Sequence, residues 1–210
     1  MDSIASLFVV YFIFFCALIS PGPDFLIVLR NTLGGSVKAG VLTALGVALG
    51  LAVHISYCLA GIAVLISQSI MLFNAIKWIG AAYLVYIGWQ AIRSKGMSAE
   101  ALPGAVAPSE KTMFQAFANG FITNLFNPKA TLLFLAMFTQ MISPSTPIMA
   151  QFAFGVACIV TAFVWFSVLA AVMGLPPLRR LYVRASKWVD RTCGVFFMAL
   201  GVRLALARVS

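Results

Sequence analysis

Few side chains in this chain can do chemistry, and the deepest of them sit beside proline. The 210 residues hold 5 acids, 14 lysines and arginines and 1 histidine. Asp24 follows the run Ser20-Pro21-Gly22-Pro23, and Lys129 follows Asn127-Pro128. In both places a polar turn interrupts an otherwise apolar stretch. Serine and asparagine are good helix N-caps, and proline is tolerated at the first helical position. Each interruption therefore reads as a fresh half-helix, beginning at Ser20 and at Asn127. A helix N-terminus presents unpaired N–H groups and partial positive charge, a ready seat for a carboxylate. With Asp24 beside one start and Lys129 beside the other, the pair could grip a zwitterion. Asp24 would take an ammonium, while Lys129 and the helix starts would take a carboxylate. A static Asp24–Lys129 ion pair and a plain proline kink draw on the same residues and stay open.

Other polar residues are sparser still. His54 could relay protons or could be a hydrogen-bonded core residue. Asn124 stands just before the second break, Asn31 just after the first half-helix and Gln140 near the end of the fourth span; all could line a cavity. The 4 cysteines, Cys16, Cys58, Cys158 and Cys193, form no CxxC and read as small buried hydrophobes. Clustered Ser/His, paired acids or HExxH are lacking, so the raw material for an enzyme is missing, and no cofactor or metal is expected.

The elements that must position these groups follow from composition. Hydrophobic residues make up 62% of the chain and charged residues 9%, with mean hydropathy +1.04. Soluble domains are about half apolar and a quarter charged. The apolar residues come in runs of about 20, the length that crosses a bilayer as helix. The fold class expected is all-α integral membrane. Spans are read at 4–30, 39–67, 70–92, 112–142, 148–174 and 188–207, the first and fourth broken. The net charge of +9 sits in the gaps between runs, which argues topology and lipid contact and against nucleic acid. Counting these charges puts the 30–38, 93–111 and 174–187 connections in the cytoplasm and both termini outside. No removed signal peptide is expected. In the segment 176–191, Leu178, Leu181, Tyr182, Ala185 and Trp188 recur at helical spacing among basic residues. That pattern predicts a separate interfacial helix lying among anionic headgroups.

The halves 1–92 and 112–210, joined by the loop 93–111, resemble each other. Ser20–Pro21 matches Asn127–Pro128, Lys77–Trp78 matches Lys187–Trp188, and Gly88 matches Gly201. A three-span half flips when repeated, so this predicts two inverted-topology three-helix repeats with a site near the midplane. Gly46 and Gly50 form a GxxxG that could serve internal packing or a homodimer face.

"SPGPDFLIVLRNTLGGSVKAG", "YLVYIGWQAIR" and "TNLFNPKATLLF" resemble the LysE/RhtB amino-acid exporters over essentially the whole chain, and "LPPLRRLYVRASKWVD" is most similar to the threonine and homoserine efflux branch. The resemblance implies a bacterial inner-membrane exporter of small amino acids or their derivatives, such as threonine, homoserine or its lactone, driven by proton antiport. It also carries motif roles onto Pro21, Gly22, Pro23 and Asp24, then Asn127, Pro128 and Lys129. Two other classes compete. A membrane thiol–disulfide electron carrier would need paired cysteines near both breaks, and no cysteine precedes Asn127 closely. A non-transporting scaffold would not need matched broken helices.

Overall fold

The computed structural model describes residues 3–68, 70–97, 112–141 and 147–206, and the described residues are helical with no strand. The helices are α1 (Ser3–Ile19), α2 (Pro23–Leu33), α3 (Val37–Gln68), α4 (Ile70–Ile92), α5 (Met113–Leu125), α6 (Pro128–Met141), α7 (Ile148–Met173) and α8 (Pro176–Leu206). Two single helices are long and apolar enough to cross a bilayer, Val37–Ala60 and Ile148–Met173. The pair Phe8–Ile19 and Pro23–Leu33 qualifies together and bends by 44° at its break. Most of the expected 93–111 loop, residues 98–111, lies outside the described residues.

Both expected breaks are present, but they are built differently. At the second, Pro128 opens α6 and the Asn127 side chain accepts a 2.9 Å bond from the Lys129 N–H, the anticipated cap. At the first, α2 starts at Pro23 and its N-cap is Gly22, not Ser20. Ser20 instead continues the α1 ladder, its N–H donating to the Cys16 carbonyl at 3.0 Å. Two prolines explain the shift. A residue before proline is driven out of the helical region, so Gly22 is extended, at φ −157° and ψ −174°, and only Pro23 can open the helix.

The separate interfacial helix at 176–191 is not present as such. One unbroken helix, α8, runs 31 residues from Pro176 to Leu206, about 46 Å at 1.5 Å per residue. No proline or glycine falls between Leu178 and Cys193 to interrupt it. Ser186, Asp190, Cys193, Phe197, Leu200 and Leu204 form one continuous buried stripe. Leu181 and Trp188 stay on the outer face, 63% and 71% exposed.

Small residues set the tightest helix contacts. A Cβ on Gly46 would fall 2.1 Å from the Phe117 carbonyl, and one on Gly120 2.1 Å from the Thr43 carbonyl. The glycine face of α3 is therefore filled by α5, within the chain. α4 and α8 cross just as closely: Gly88 and Gly194 each face the other's carbonyl, at 2.8 and 2.7 Å from a built Cβ. Such contacts let backbones pack without the large side chains that would hold them apart. Aromatic rings fill the space beneath the breaks, Phe14 edge-on to Phe134 with centroids 5.6 Å apart.

Candidate functional site

The end of α1 is the first feature to account for. A helix C-terminus leaves four carbonyls without partners, and an apolar surround makes that costly. Here every carbonyl from Ala17 to Ser20 is met by a side chain from the far half of the chain. Lys129 Nζ donates to Ala17 O and to Ser20 O, both at 3.2 Å. Trp165 Nε1 donates to Leu18 O at 3.1 Å. The Tyr182 hydroxyl donates to Ile19 O at 2.9 Å, and its ring stacks on Phe25 with centroids 5.1 Å apart. A cation at a helix C-terminus also matches the dipole there. The lysine that sequence reasoning set opposite Asp24 is thus a cap on α1, and Lys129 makes no direct ion pair with Asp24.

Asp24, in the first turn of α2, is held instead by two amides of the second half. Its Oδ2 accepts from Asn124 Nδ2 at 3.0 Å and from Asn127 Nδ2 at 2.8 Å. Asn127 works in both directions, its oxygen capping α6 while its amide reaches Asp24. The other oxygen, Asp24 Oδ1, is buried without a hydrogen-bond partner, and so is Asn124 Oδ1. Two buried acceptors left open together call for a donor, since an unmet buried acceptor costs about 1–3 kcal/mol. An ammonium supplies three donors and a compensating charge.

Ser20, Gly22, Asp24, Asn124, Asn127 and Lys129 line one cavity of about 40 Å³, walled by apolar side chains such as Phe14, Phe134 and Phe166. That volume holds a few water molecules at most, so the site is narrow in this conformation. Pro21 and Pro23 form the turn on the other side of Gly22, and Pro128 starts α6 outside the lining.

His54 lies behind the cavity. Its Nε2–H donates to the Asn124 carbonyl at 2.9 Å, and Nδ1 shares a hydrogen bond with the Tyr57 hydroxyl. The ring thereby satisfies an end carbonyl of α5 and fixes Asn124. Asn31 is not in the lining; it donates to Thr43 Oγ1 at 2.9 Å and ties α2 to α3.

Sequence reasoning missed three participants. Trp165 and Tyr182 reach the break from α7 and α8; a buried indole or phenol needs a partner, but nothing local says which. Asp190 falls in the 176–191 segment expected to lie at the membrane surface, yet it is buried and accepts from Ser20 Oγ at 3.4 Å and Ser94 Oγ at 2.6 Å. Cys16 and Cys193, 177 positions apart, also lie near one another, both buried and free.

An apolar, all-helical chain whose polar groups gather where one helix breaks is a membrane protein of the transport class. The chain belongs to the LysE type translocator family, which matches residues 15–208. It is 32% identical to the threonine efflux protein of Escherichia coli (strain K12) over 91% of this chain and 93% of that one. Against the threonine efflux protein of Salmonella typhi it is 29% identical, covering 96% and 98%. It is also 30% identical to the uncharacterized membrane protein YrhP of Bacillus subtilis (strain 168), covering 90% and 93%. No solved structure matches the chain.

Proposed function

We propose that the protein exports small neutral amino acids, with threonine, homoserine and homoserine lactone as the first candidates, from the bacterial cytoplasm across the inner membrane by proton antiport. The observation that carries this reading is the pair of buried, unpartnered acceptors, Asp24 Oδ1 and Asn124 Oδ1, on residues that line one narrow cavity with Lys129. The substrate ammonium docks on Asp24 and Asn124. Its carboxylate takes the third proton of Lys129 Nζ, whose other two face Ala17 O and Ser20 O. Asp24 is the one acid in the cavity lining, which suits a neutral side chain better than a cationic one, whose extra charge would find no second acid in that lining. Threonine efflux by the two enterobacterial relatives supports the substrate class.

In this reading the helices form six spans, α1–α2 and α5–α6 being the broken ones, arranged as inverted repeats of three. The matched proline breaks and the reciprocal Gly88–Gly194 crossing of α4 and α8 support it. Both termini lie in the periplasm, and the exposed Leu181, Trp188 and neighbouring basic residues of 176–191 meet lipid and anionic headgroups. Rocking of the repeats about the breaks exposes the cavity to each side in turn. Proton uptake at Asp24 releases the ammonium outward, and His54 acts on the site through Asn124.

The test is uptake of labelled threonine and homoserine into inverted vesicles carrying a pH gradient. Uptake that needs the gradient and is lost in Asp24→Asn is expected. Equal uptake with and without the gradient would overturn the coupling, and no uptake of any small neutral amino acid would overturn the substrate class. The adjacency of Cys16 and Cys193 favours a second reading, a thiol–disulfide carrier. It is weakened because no cysteine precedes the Asn127 break closely.

A further inference from the structure

The Ser20–Pro23 turn is a thin partition with a space on each side. On one side is the narrow central cavity. On the other is a chamber of about 330 Å³, lined by Ser20, Gly22, Tyr86, Gln90, Lys129 and Asp190 among others. Three residues, Ser20, Gly22 and Lys129, face both. The chamber is within the size range of small-molecule sites, as the central cavity is not.

Its chemistry repeats that of the cavity. Asp190 is buried, and among the described residues its hydrogen bonds come from two neutral hydroxyls, Ser94 at 2.6 Å and Ser20 at a long 3.4 Å. Arg184, Lys187 and Arg191, its basic neighbours on α8, are exposed, and Lys129 acts on it by charge without a hydrogen bond between them. A buried carboxylate with no cation in direct contact is costly and marks a place where a cation can settle. The charges of Asp24 and Asp190 act on Lys129 from the two sides of the turn. Gln90 and the Tyr86 hydroxyl, hydrogen-bonded to one another, add polar groups on the chamber's outer rim.

We propose that this chamber is a loading site, where an amino acid binds through its ammonium to Asp190 and its carboxylate to Lys129 before it passes the Ser20–Pro23 turn. The inference rests on the export reading above. The Ser20–Asp190 bond is the latch. An arriving ammonium competes for Asp190, frees Ser20 and loosens the turn, and the carboxylate stays on Lys129 while the ammonium moves from Asp190 to Asp24. Ser94 lies at the end of α4 that leads into the basic 93–111 connection, so the chamber opens on the side expected to be cytoplasmic.

The experiment places a cysteine at Ala91, a chamber-lining position outside the proposed contacts. Inside-out vesicles are treated with a membrane-impermeant, charged methanethiosulfonate, with and without threonine. Threonine is expected to slow labelling of Ala91→Cys severalfold, and to do so equally when Asp24→Asn is added, since loading precedes the central site. Asp190→Asn is expected to abolish protection and to raise KM about tenfold with kcat much less affected, the pattern of lost ground-state binding. Protection that vanishes with Asp24→Asn overturns the proposal, as does threonine transport without any protection. If Asp190→Asn fails to fold, the Ala91→Cys and Ala91→Cys/Asp24→Asn pair still decides. Protection without transport would uphold the chamber and sink the export reading; neither protection nor transport would sink both.

Discussion

Asp24 Oδ2 lies 2.8 Å from Asn127 Nδ2, a bond that spans 103 positions and joins one helix break to the other. Both residues sit at helix starts, so a movement of either half-helix must carry the other or break this bond. Asp24 Oδ1 stays buried without a hydrogen-bond partner. The carboxylate is thus held through one oxygen by the second half of the chain, and in the export reading the other oxygen takes the substrate ammonium.

Asp24→Asn keeps the shape and removes the charge. Transport is expected to fall about 100-fold, roughly 2.7 kcal/mol of lost stabilisation, while the thermal midpoint in detergent stays close to wild type. Initial rates in vesicles and thermal unfolding measured on the same preparations check this. A transport rate within threefold of wild type would show that the charge is not used.

Lys129→Met removes the donor to two carbonyls at once. Each orphaned buried acceptor costs about 1–3 kcal/mol, so for two a loss of roughly 2–6 kcal/mol in stability is expected together with loss of transport. Lys129→Arg should recover much of the stability, because a guanidinium can still donate to both carbonyls, yet transport should stay low because its planar fork crowds a 40 Å³ cavity. Denaturant midpoints and transport rates separate the two effects.

Gly46→Leu should abolish assembly of the chain, since even a Cβ there meets the Phe117 carbonyl at 2.1 Å. Gly22→Ala should fold, its Cβ reaching Lys129 Nζ no closer than 3.4 Å, but should impair transport by narrowing the turn between the two spaces. Membrane expression levels distinguish the first, and transport rates the second.

His54→Gln tests whether the histidine positions or relays. Its ring donates to the Asn124 carbonyl and shares a hydrogen bond with Tyr57, and a glutamine amide can reproduce both. Positioning predicts that transport keeps at least about a third of its rate and an unchanged pH profile. His54→Phe, with no donor, should be much worse. A pH profile that shifts in His54→Gln would assign the histidine a proton.

Cys16→Ser/Cys193→Ser decides against or for the electron-carrier reading. The two thiols lie near one another on α1 and α8, and transport unchanged by the double substitution is the expected result. Loss of a thiol-dependent electron transfer in that variant, with no amino-acid transport in the wild type, would reverse it.

Much of this architecture is legible along the chain. Apolar runs give the helices, and two X-Pro interruptions give the breaks, because proline's missing N–H and fixed φ act locally whatever surrounds them. Asn127 as a cap, Asp24 as a deep acid and the close-packing glycines of α3 follow from residue type and spacing alone. The exact start of α2 needed one further local rule, that Gly22 before Pro23 must be extended.

What tertiary structure alone decided is who meets whom. Four carbonyls at the end of α1 are invisible in a list of side chains, and their partners, Lys129, Trp165 and Tyr182, come from three different helices. Lys129 therefore reads as Asp24's partner until the fold shows that α1 holds it. Asp190 looks like a span-end acid until the unbroken run of α8 turns it inward to Ser20 and Ser94. Periodicity reveals which face of a helix is apolar. The azimuth and depth at which that face meets its neighbours are set by packing, and those two quantities place a buried charge.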